Sequence, residues 1–422
     1  MSRTYDITIA GAGPAGLACA LSLAGEGRRV ALIDPAPEPV LAEPSFDGRE
    51  IALTHHARDW LERHGVWDHI PGNSVSPLRT ARIESGQDAP AHPGGALLFT
   101  SRNQGREAPD GEAPGGGALE GEALEGEALG HLVPNHLIRA ALYRRCLTES
   151  RITLMAGRGV IASSGNRDRA TVLLTDDTLI DSDLLIAADG RFSRIRQARG
   201  IGAIVHDFGK EILVCRMRHP EPHDGVALQW FDEGQTIALL PVASDGQPGF
   251  LSSLVLTLDP VDIAHLKDMD EGDFSREITR RTQNRLGGMM LESARRSYPL
   301  RTVYAHRFET TRLALIGDAA VGMHPITAHG FNLGLKGQEI LSEEIRQGDG
   351  DPGHSDVLRR FERRHRQATA PLFAATNGIA TLYTHDSRPS LVLRRAGLRI
   401  AERMTPFKSF VTGFLMDRNA AH

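Results

Sequence analysis

The stretch Ile7-Thr8-Ile9-Ala10-Gly11-Ala12-Gly13-Pro14-Ala15-Gly16 decides the fold. A short apolar run meets a glycine turn, and the small-residue segment from Leu17 to Leu23 continues as a helix. A second apolar run, Val30-Ala31-Leu32-Ile33, ends on Asp34, so the whole reads as one βαβ unit. Each glycine answers a separate demand. Gly11 makes the tight turn, Gly13 leaves room for a pyrophosphate to approach the backbone, and Gly16 lets the helix lie close on the sheet. The helix N-terminus offers free N–H groups and a partial positive charge. Asp34 stands where a carboxylate holds a ribose hydroxyl, which disfavours a 2′-phosphate and leaves FAD or NAD. A glycine run alone is weak evidence, because such turns recur as plain βα connections. Here strand, turn, helix, second strand and terminal acid stand in register, which is the context the motif requires.

A chain of 422 residues exceeds one ordinary core, so more than one domain is expected. Its 41% hydrophobic and 24% charged residues suit a soluble globular enzyme. The formal charge of -5 gives no electrostatic reason to expect nucleic acid. Cys19, Cys146 and Cys215 form no C-x-x-C, so neither zinc nor a redox pair is signalled, and reduced thiols suit the cytoplasm. No apolar run approaches the ~20 residues of a membrane span. The chain enters its first strand without the basic and apolar regions of a signal peptide.

Working outward, Asp47-Gly48-Arg49-Glu50-Ile51-Ala52-Leu53 leads into a helix from His56 to His64. Read alone, Arg49 is a surface ion pair with Asp47 or Glu50. Residues 86–130 are rich in Gly, Ala, Glu and Pro with a short repeat, and are expected to be an elongated, mobile insertion without chemistry. A helix follows from His136 to Thr148, then strands at 152–155, 170–175 and 184–188. The last runs into Asp189-Gly190-Arg191, which reads either as a phosphate-facing turn or as a turn before a solvated basic helix. Between 201 and 304 come strands at 211–218, 225–231, 236–242 and 250–258, with one helix near 273–286, the pattern of an inserted antiparallel sheet. The strand Ile237 to Pro241 ends on proline, as an edge facing a ligand or as a strand terminus. A buried strand then returns to Gly317-Asp318, and a small-residue loop through Thr327 and Gly330 opens a helix from Asn332. Asp318 is placed to hold a polyol hydroxyl, and the loop to aim N–H groups at a carbonyl or anionic ring edge. His324 and His329 do not share a helical face, so they make no metal pair, and His324 reads as a hydrogen-bonded structural residue.

Three separated pieces now stand together: Gly11 to Gly16 with Asp34, Asp189-Gly190, and Gly317-Asp318 with His324-Pro325 and Gly330. That combination resembles the para-hydroxybenzoate hydroxylase superfamily of FAD monooxygenases, and within it the ring hydroxylases of ubiquinone biosynthesis. Asp47 to Leu53, Val133 to Leu137, Ala238 to Pro241 and Ser297 to Leu300 share in the likeness. It implies an α/β fold: a Rossmann-like FAD-binding domain with an inserted, mostly antiparallel β-sheet substrate domain and C-terminal helices. The implied division is 1–75, 132–198 and 308–369 for FAD, 76–131 and 199–307 for substrate, and 370–422 as a helical region. The implied FAD contacts are Gly11, Gly13, Ala15, Gly16, Asp34, Arg49, Asn135, Asp189, Gly317, Asp318, Pro325, Ala328, His329 and Gly330. Leu240, Pro241 and Pro325 would line the substrate pocket, and no acid or base is named. Two positions depart from the pattern. Relatives usually carry Gly-Gln-Gly where this chain has Ala328-His329-Gly330, and often an acid where it has Gly337.

The resemblance implies hydroxylation of a polyprenyl phenol or quinol with NAD(P)H and O2, most like a demethoxyubiquinol hydroxylase. Open beside it stand another phenol hydroxylase, a flavin-dependent oxidase or reductase of the same fold, and a non-enzymatic dinucleotide sensor. Leu391 to Leu415 mixes Leu398, Met404, Phe407, Phe410 and Phe414 with arginines. That mixture suits a helix packed on the FAD domain or one lying on a membrane surface. A cytoplasmic protein, or one peripheral to the inner membrane face or within a ubiquinone-biosynthesis complex, is the implied setting.

Overall fold

The computed structural model describes residues 3–85, 96–100, 128–232, 234–324, 330–348 and 350–384. In chain order, β1 (Arg3–Ala10), α1 (Pro14–Gly25) and β2 (Val30–Asp34) form the opening unit. Next come α2 (Glu38–Ala42), β3 (Glu50–Leu53) and α3 (His55–Arg63), where the Thr54 hydroxyl caps the helix by accepting the Ala57 N–H at 3.2 Å. β4 (Ser76–Leu78), β5 (Thr80–Ser85), β6 (Ala96–Thr100) and β7 (Gly130–Pro134) lead to α4 (Asn135–Leu147). β8 (Ile152–Ala156), β9 (Val160–Gly165), β10 (Ala170–Leu174) and β11 (Leu179–Ala187) precede the short α5 (Arg194–Ala198). The middle of the chain holds β12 (Ala203–His219), β13 (Val226–Asp232), β14 (Gln235–Val242), β15 (Phe250–Leu258), α6 (Pro260–Asp268), α7 (Glu271–Arg281), β16 (Met290–Leu291) and β17 (Arg296–Ala305). It returns through β18 (Glu309–Thr310), β19 (Leu313–Leu315) and β20 (Val321–Gly322) to α8 (Gly330–Gln347) and α9 (Ser355–Thr384).

Three sheets result. The first runs β18-β19-β11-β1-β2-β8, with β10 and β9 as an antiparallel appendage, and β19, β11, β1, β2 and β8 are parallel. Helices cover the β1 region, so Ile7, Thr8, Ile9 and Ala10 are all buried, as a central parallel strand requires. The second sheet runs β20-β17-β12-β15-β14-β13-β5-β6, antiparallel except for β13 with β5. Period-two alternation sorts its faces. Leu213, Cys215, Met217, Ile237, Leu239 and Leu254 pack against Ile263, Leu266, Phe274 and Ile278 of α6 and α7. Ile212, Val214, Val255 and Tyr298 share the other face, and Ala380 of α9 packs among them. The third sheet, β3-β7-β4, lies beside Leu240: Leu78 and Leu132 of its strands cluster with Leu240 and Ala227.

Two expectations change here. Residues 96–100, inside the presumed structureless insertion, form β6 and pair with β5, because Ala96-Leu97-Leu98-Phe99-Thr100 is an apolar run among the glycines; residues 86–95 and 101–127 lie outside the described residues. Pro241 neither ends a strand nor marks an edge. β14 continues to Val242 between β15 and β13, and the ladder to β13 closes at Leu228↔Leu239, so the proline lies past the bonds it would interrupt.

Ile278 is fully buried between α7 and the second sheet. Ile278→Ala is expected to cost about 2–5 kcal/mol, read as a lower urea midpoint. Val261→Ala, at a side chain 80% exposed, is expected to stay within about 0.5 kcal/mol of the parent.

Candidate active site

The pairings Ala10↔Ile33, Ala10↔Ala187 and Ala187↔Leu315 bring the carboxyl ends of β2, β1, β11 and β19 to one edge of the parallel sheet. Open α/β sheets bind ligands at that edge. The turns that leave it carry Gly11 to Gly16, Asp34, Asp189-Gly190 and Gly317-Asp318, so topology alone gathers all the carboxylates and most of the glycines the sequence singled out.

Gly11 has φ +110, and a Cβ there would lie 2.3 Å from the Ala188 carbonyl oxygen. A Cβ on Gly16 would lie 1.9 Å from the Gly11 oxygen. These contacts press the turns after β1 and β11 together and seat α1 on the sheet. Gly13 differs: a Cβ there would meet nothing within 4 Å, so the space before α1 is open. Pro14 takes the first helical position, where its missing N–H costs nothing, and the Ala15 and Gly16 N–H groups have no acceptor within the helix. The Ala15 side chain is a spacer, since a Cβ on Gly317 would come within 2.8 Å of it.

The Asp34 carboxylate accepts the Ala12 N–H at 2.6 Å and the Ala36 N–H at 2.8 Å, which braces the glycine turn against the end of β2. Asp189 accepts the Ile195 N–H through Oδ2 at 3.2 Å, while its buried Oδ1 has no hydrogen-bond partner among the described residues. Arg191 spans the two later turns. It donates to Asp318 Oδ2 at 3.0 and 3.3 Å and to the Arg301 carbonyl at 2.5 Å. Arg196 is 3% exposed and donates to the carbonyls of Ala319 at 2.8 Å and Arg191 at 3.2 Å. Arg196 is therefore not a solvated cation, whereas Arg194 of the same helix is exposed. Arg191 of the turn and Arg196 of α5 tie the turn after β11 to the turn after β19, a role the sequence reading missed although the cations closely follow Asp189-Gly190.

Arg49 pairs with Asp47 at 2.5 Å, and Asn135, itself buried, donates to the same carboxylate at 2.7 Å. Together they hold the Asp47 carboxyl below the usual range against the opposing effect of burial, the largest influence on it. Glu50 turns instead to Arg216 on β12. His324 is buried edge-on to Phe208 at 5.0 Å, and burial, helped by Arg191, pushes its pKa down to about 4, so the imidazole is neutral at pH 7. Pro325, Thr327, Ala328 and His329 lie outside the described residues. Gly330 opens α8 with free space where a side chain would stand. The departure at Gly337 has a packing cause: a Cβ there would lie 2.7 Å from the buried His365 ring, which leaves no room for an acid.

Leu240 and the buried Pro241 lie on β14, and Leu240 points toward Ala52 and Leu132 of the third sheet. Val214 fits beneath Gly48, and the Tyr298 hydroxyl donates to the Asp47 carbonyl at 2.8 Å. The second sheet thus leans on the loop that carries Arg49.

The donor set fits a dinucleotide. Open space at Gly13 and Gly190, free N–H groups on α1 and an orphaned buried oxygen on Asp189 match a pyrophosphate and polyol. A parallel sheet with this edge, covered by a second antiparallel sheet, defines a flavoprotein monooxygenase fold. The chain belongs to the family described as FAD binding domain, whose model matches residues 4–370. It is 36% identical to ubiquinone hydroxylase UbiM of Neisseria meningitidis over 98% of this chain and 84% of that one. Ubiquinone hydroxylase UbiL of Rhodospirillum rubrum is 30% identical over 96% and 88%. Among solved structures, p-nitrophenol 4-monooxygenase PnpA of Pseudomonas putida superposes with a TM-score of 0.73 at 16% identity, covering 100% of both chains, and shows the shared fold. The protein is an FAD-dependent monooxygenase.

Gly13→Val fills the open space before α1 without touching the packed turns. The variant is expected to fold with a parental melting curve once stripped of flavin, yet to carry less than a tenth of the parental flavin absorbance near 450 nm, a spread of at least about 1.4 kcal/mol in FAD binding. Asp318→Ala is expected to lose flavin as well, and full occupancy in that variant removes Asp318 from the site.

Proposed function

We propose that the protein hydroxylates an electron-rich polyprenyl phenol or quinol in ubiquinone biosynthesis, as a demethoxyubiquinol hydroxylase does, using NAD(P)H and O2. The observation that carries this reading is likeness along nearly the whole chain, 36% identity over 98% of it, to a protein named ubiquinone hydroxylase. The division of labour would follow the proposed boundaries, with 1–75, 132–198 and 308–369 for FAD, 76–131 and 199–307 for substrate, and a C-terminal region from 370, of which 385–422 lie outside the described residues.

Bound FAD supplies the redox and oxygen-activating chemistry. The chain binds, orients and shields. N–H groups of Ala15 and Gly16 would meet the pyrophosphate across Gly11 and Gly13, and Asp34 would hold the ribose of the adenosine. Asp189, Gly317 and Asp318 take the polyol and pyrophosphate region, with Arg191 fixing Asp318 from behind. Arg49 and Asn135 contact the flavin from the Asp47 side. By the resemblance Pro325, Ala328, His329 and Gly330 would frame its ring, the first three lying outside the described residues. Leu240 and Pro241, with Pro325 by the resemblance, would hold the substrate ring against it, and the apolar sheet face would exclude water so that reducing equivalents reach the ring. Neutral His324 places no positive charge beside that frame. Among the described residues no helix is long and apolar enough to cross a membrane; a substrate carrying a prenyl tail calls for a peripheral contact with the bilayer surface.

The test is turnover of the FAD-loaded protein with NADH or NADPH, 18O-labelled O2 and a short-tailed demethoxyubiquinol. One oxygen-18 atom per product ring is expected by mass spectrometry. NAD(P)H oxidation with no labelled ring favours an oxidase or reductase of the same fold, and an absence of NAD(P)H oxidation favours a sensor.

A further inference from the structure

Five consecutive residues, from Phe46 to Glu50 at the start of β3, touch the second sheet. The Phe46 ring lies under the Arg216 guanidinium at 4.7 Å, the Asp47 carbonyl accepts from Tyr298, Gly48 packs on Val214, Arg49 stands 5.6 Å over the Tyr298 ring, and Glu50 pairs with Arg216. Among these contacts the Glu50–Arg216 pair is the one ion pair, between a buried carboxylate and a partly exposed guanidinium. The Glu50 side chain is 2% exposed and its Oε1 accepts from Arg216 Nη2 at 2.7 Å and Nε at 3.2 Å. Arg216 is held in turn: its N–H donates to Ser293 Oγ at 2.8 Å, its carbonyl accepts from Glu292 at 2.9 Å, and His136 stands edge-on to Phe46 at 5.4 Å.

On its other side the same loop reaches the flavin-side residues. Glu50 pairs with Pro134 across β3 and β7, and the Asn135 N–H donates to the Arg49 carbonyl at 2.9 Å. A shift of Glu50 therefore moves Arg49 and Asn135 together. Buried ion pairs add little net stability compared with apolar side chains of the same size, but a forked guanidinium on a carboxylate admits one register where apolar surfaces slide. We infer that Glu50 and Arg216 are positioning residues: their pair latches the loop carrying Arg49 to the substrate-side sheet and sets how closely the sheet covers the flavin. The latch rests on the ring-hydroxylase reading only for the cofactor beside the loop that the sheet would cover.

The experiment uses the full-length, FAD-loaded protein with Glu50→Gln, Arg216→Met and Arg216→Lys. Three quantities are read: flavin content, the visible circular dichroism of bound flavin without substrate, and the share of consumed NAD(P)H that ends as hydrogen peroxide when short-tailed demethoxyubiquinol is present. Glu50→Gln and Arg216→Met are expected to keep stoichiometric FAD, to change the dichroism, and to couple at least threefold less of their NAD(P)H to ring hydroxylation. Arg216→Lys, which keeps the charge, is expected to recover at least half of the lost coupling. Should Arg216→Met fail to fold, the isosteric Glu50→Gln carries the comparison. Parental dichroism and coupling in Glu50→Gln overturn the latch, as does an Arg216→Lys that does no better than Met. A parent protein that hydroxylates no ring refutes the proposed function instead, and the dichroism still judges the latch.

Discussion

The structure depends on one close approach of backbone to backbone, where the turn leaving β1 meets the turn leaving β11. Gly11 adopts a left-handed φ with the Ala188 carbonyl in the position of its missing side chain, and Gly16 repeats the contact with Gly11 itself. Without these approaches α1 could not sit on the sheet with its first N–H groups facing the shared strand edge. The proposed FAD contacts after β1, β2, β11 and β19 are placed relative to that edge. Asp34 braces it from β2, and Arg191 and Arg196 brace it from β11 toward the turn of Gly317 and Asp318.

Local chemistry made this half legible in the sequence. A glycine that must lack a side chain and an acid that must end a strand leave marks at fixed spacing, and parallel pairing then does the assembly. The partners of those marks were harder to see. Arg196 reads as a solvated cation because its acceptors, the Ala319 and Arg191 carbonyls, include one more than a hundred residues away. Arg49 shows the opposite case: its pairing with Asp47 is local and was readable, whereas contact with FAD rests on resemblance. Gly337 looked like a lost acid until the His365 ring, brought by α9 against α8, supplied the reason. Pro241 looked like a strand end because a missing N–H is a local fact, while the ladder's stopping point at Leu239 is a tertiary one.

The second sheet adds what a cofactor site alone lacks. Its alternating strands give one face to α6 and α7 and turn the other toward the 46–50 loop and the third sheet. An apolar cover over a redox group serves two ends, since it seats an apolar ring and keeps water away from the reaction. The loop beneath carries Arg49 and is held by both polar and apolar contacts, so the positions of Arg49 and of the sheet are coupled through a few residues rather than set independently.

The most direct test of this account is a crystal structure of the protein grown with excess FAD. The account predicts one flavin across the carboxyl ends of β2, β1, β11 and β19, with pyrophosphate oxygens about 3 Å from the Ala15 or Gly16 N–H and the isoalloxazine beneath the second sheet. FAD bound elsewhere, or a pyrophosphate that leaves the space before α1 empty, contradicts it.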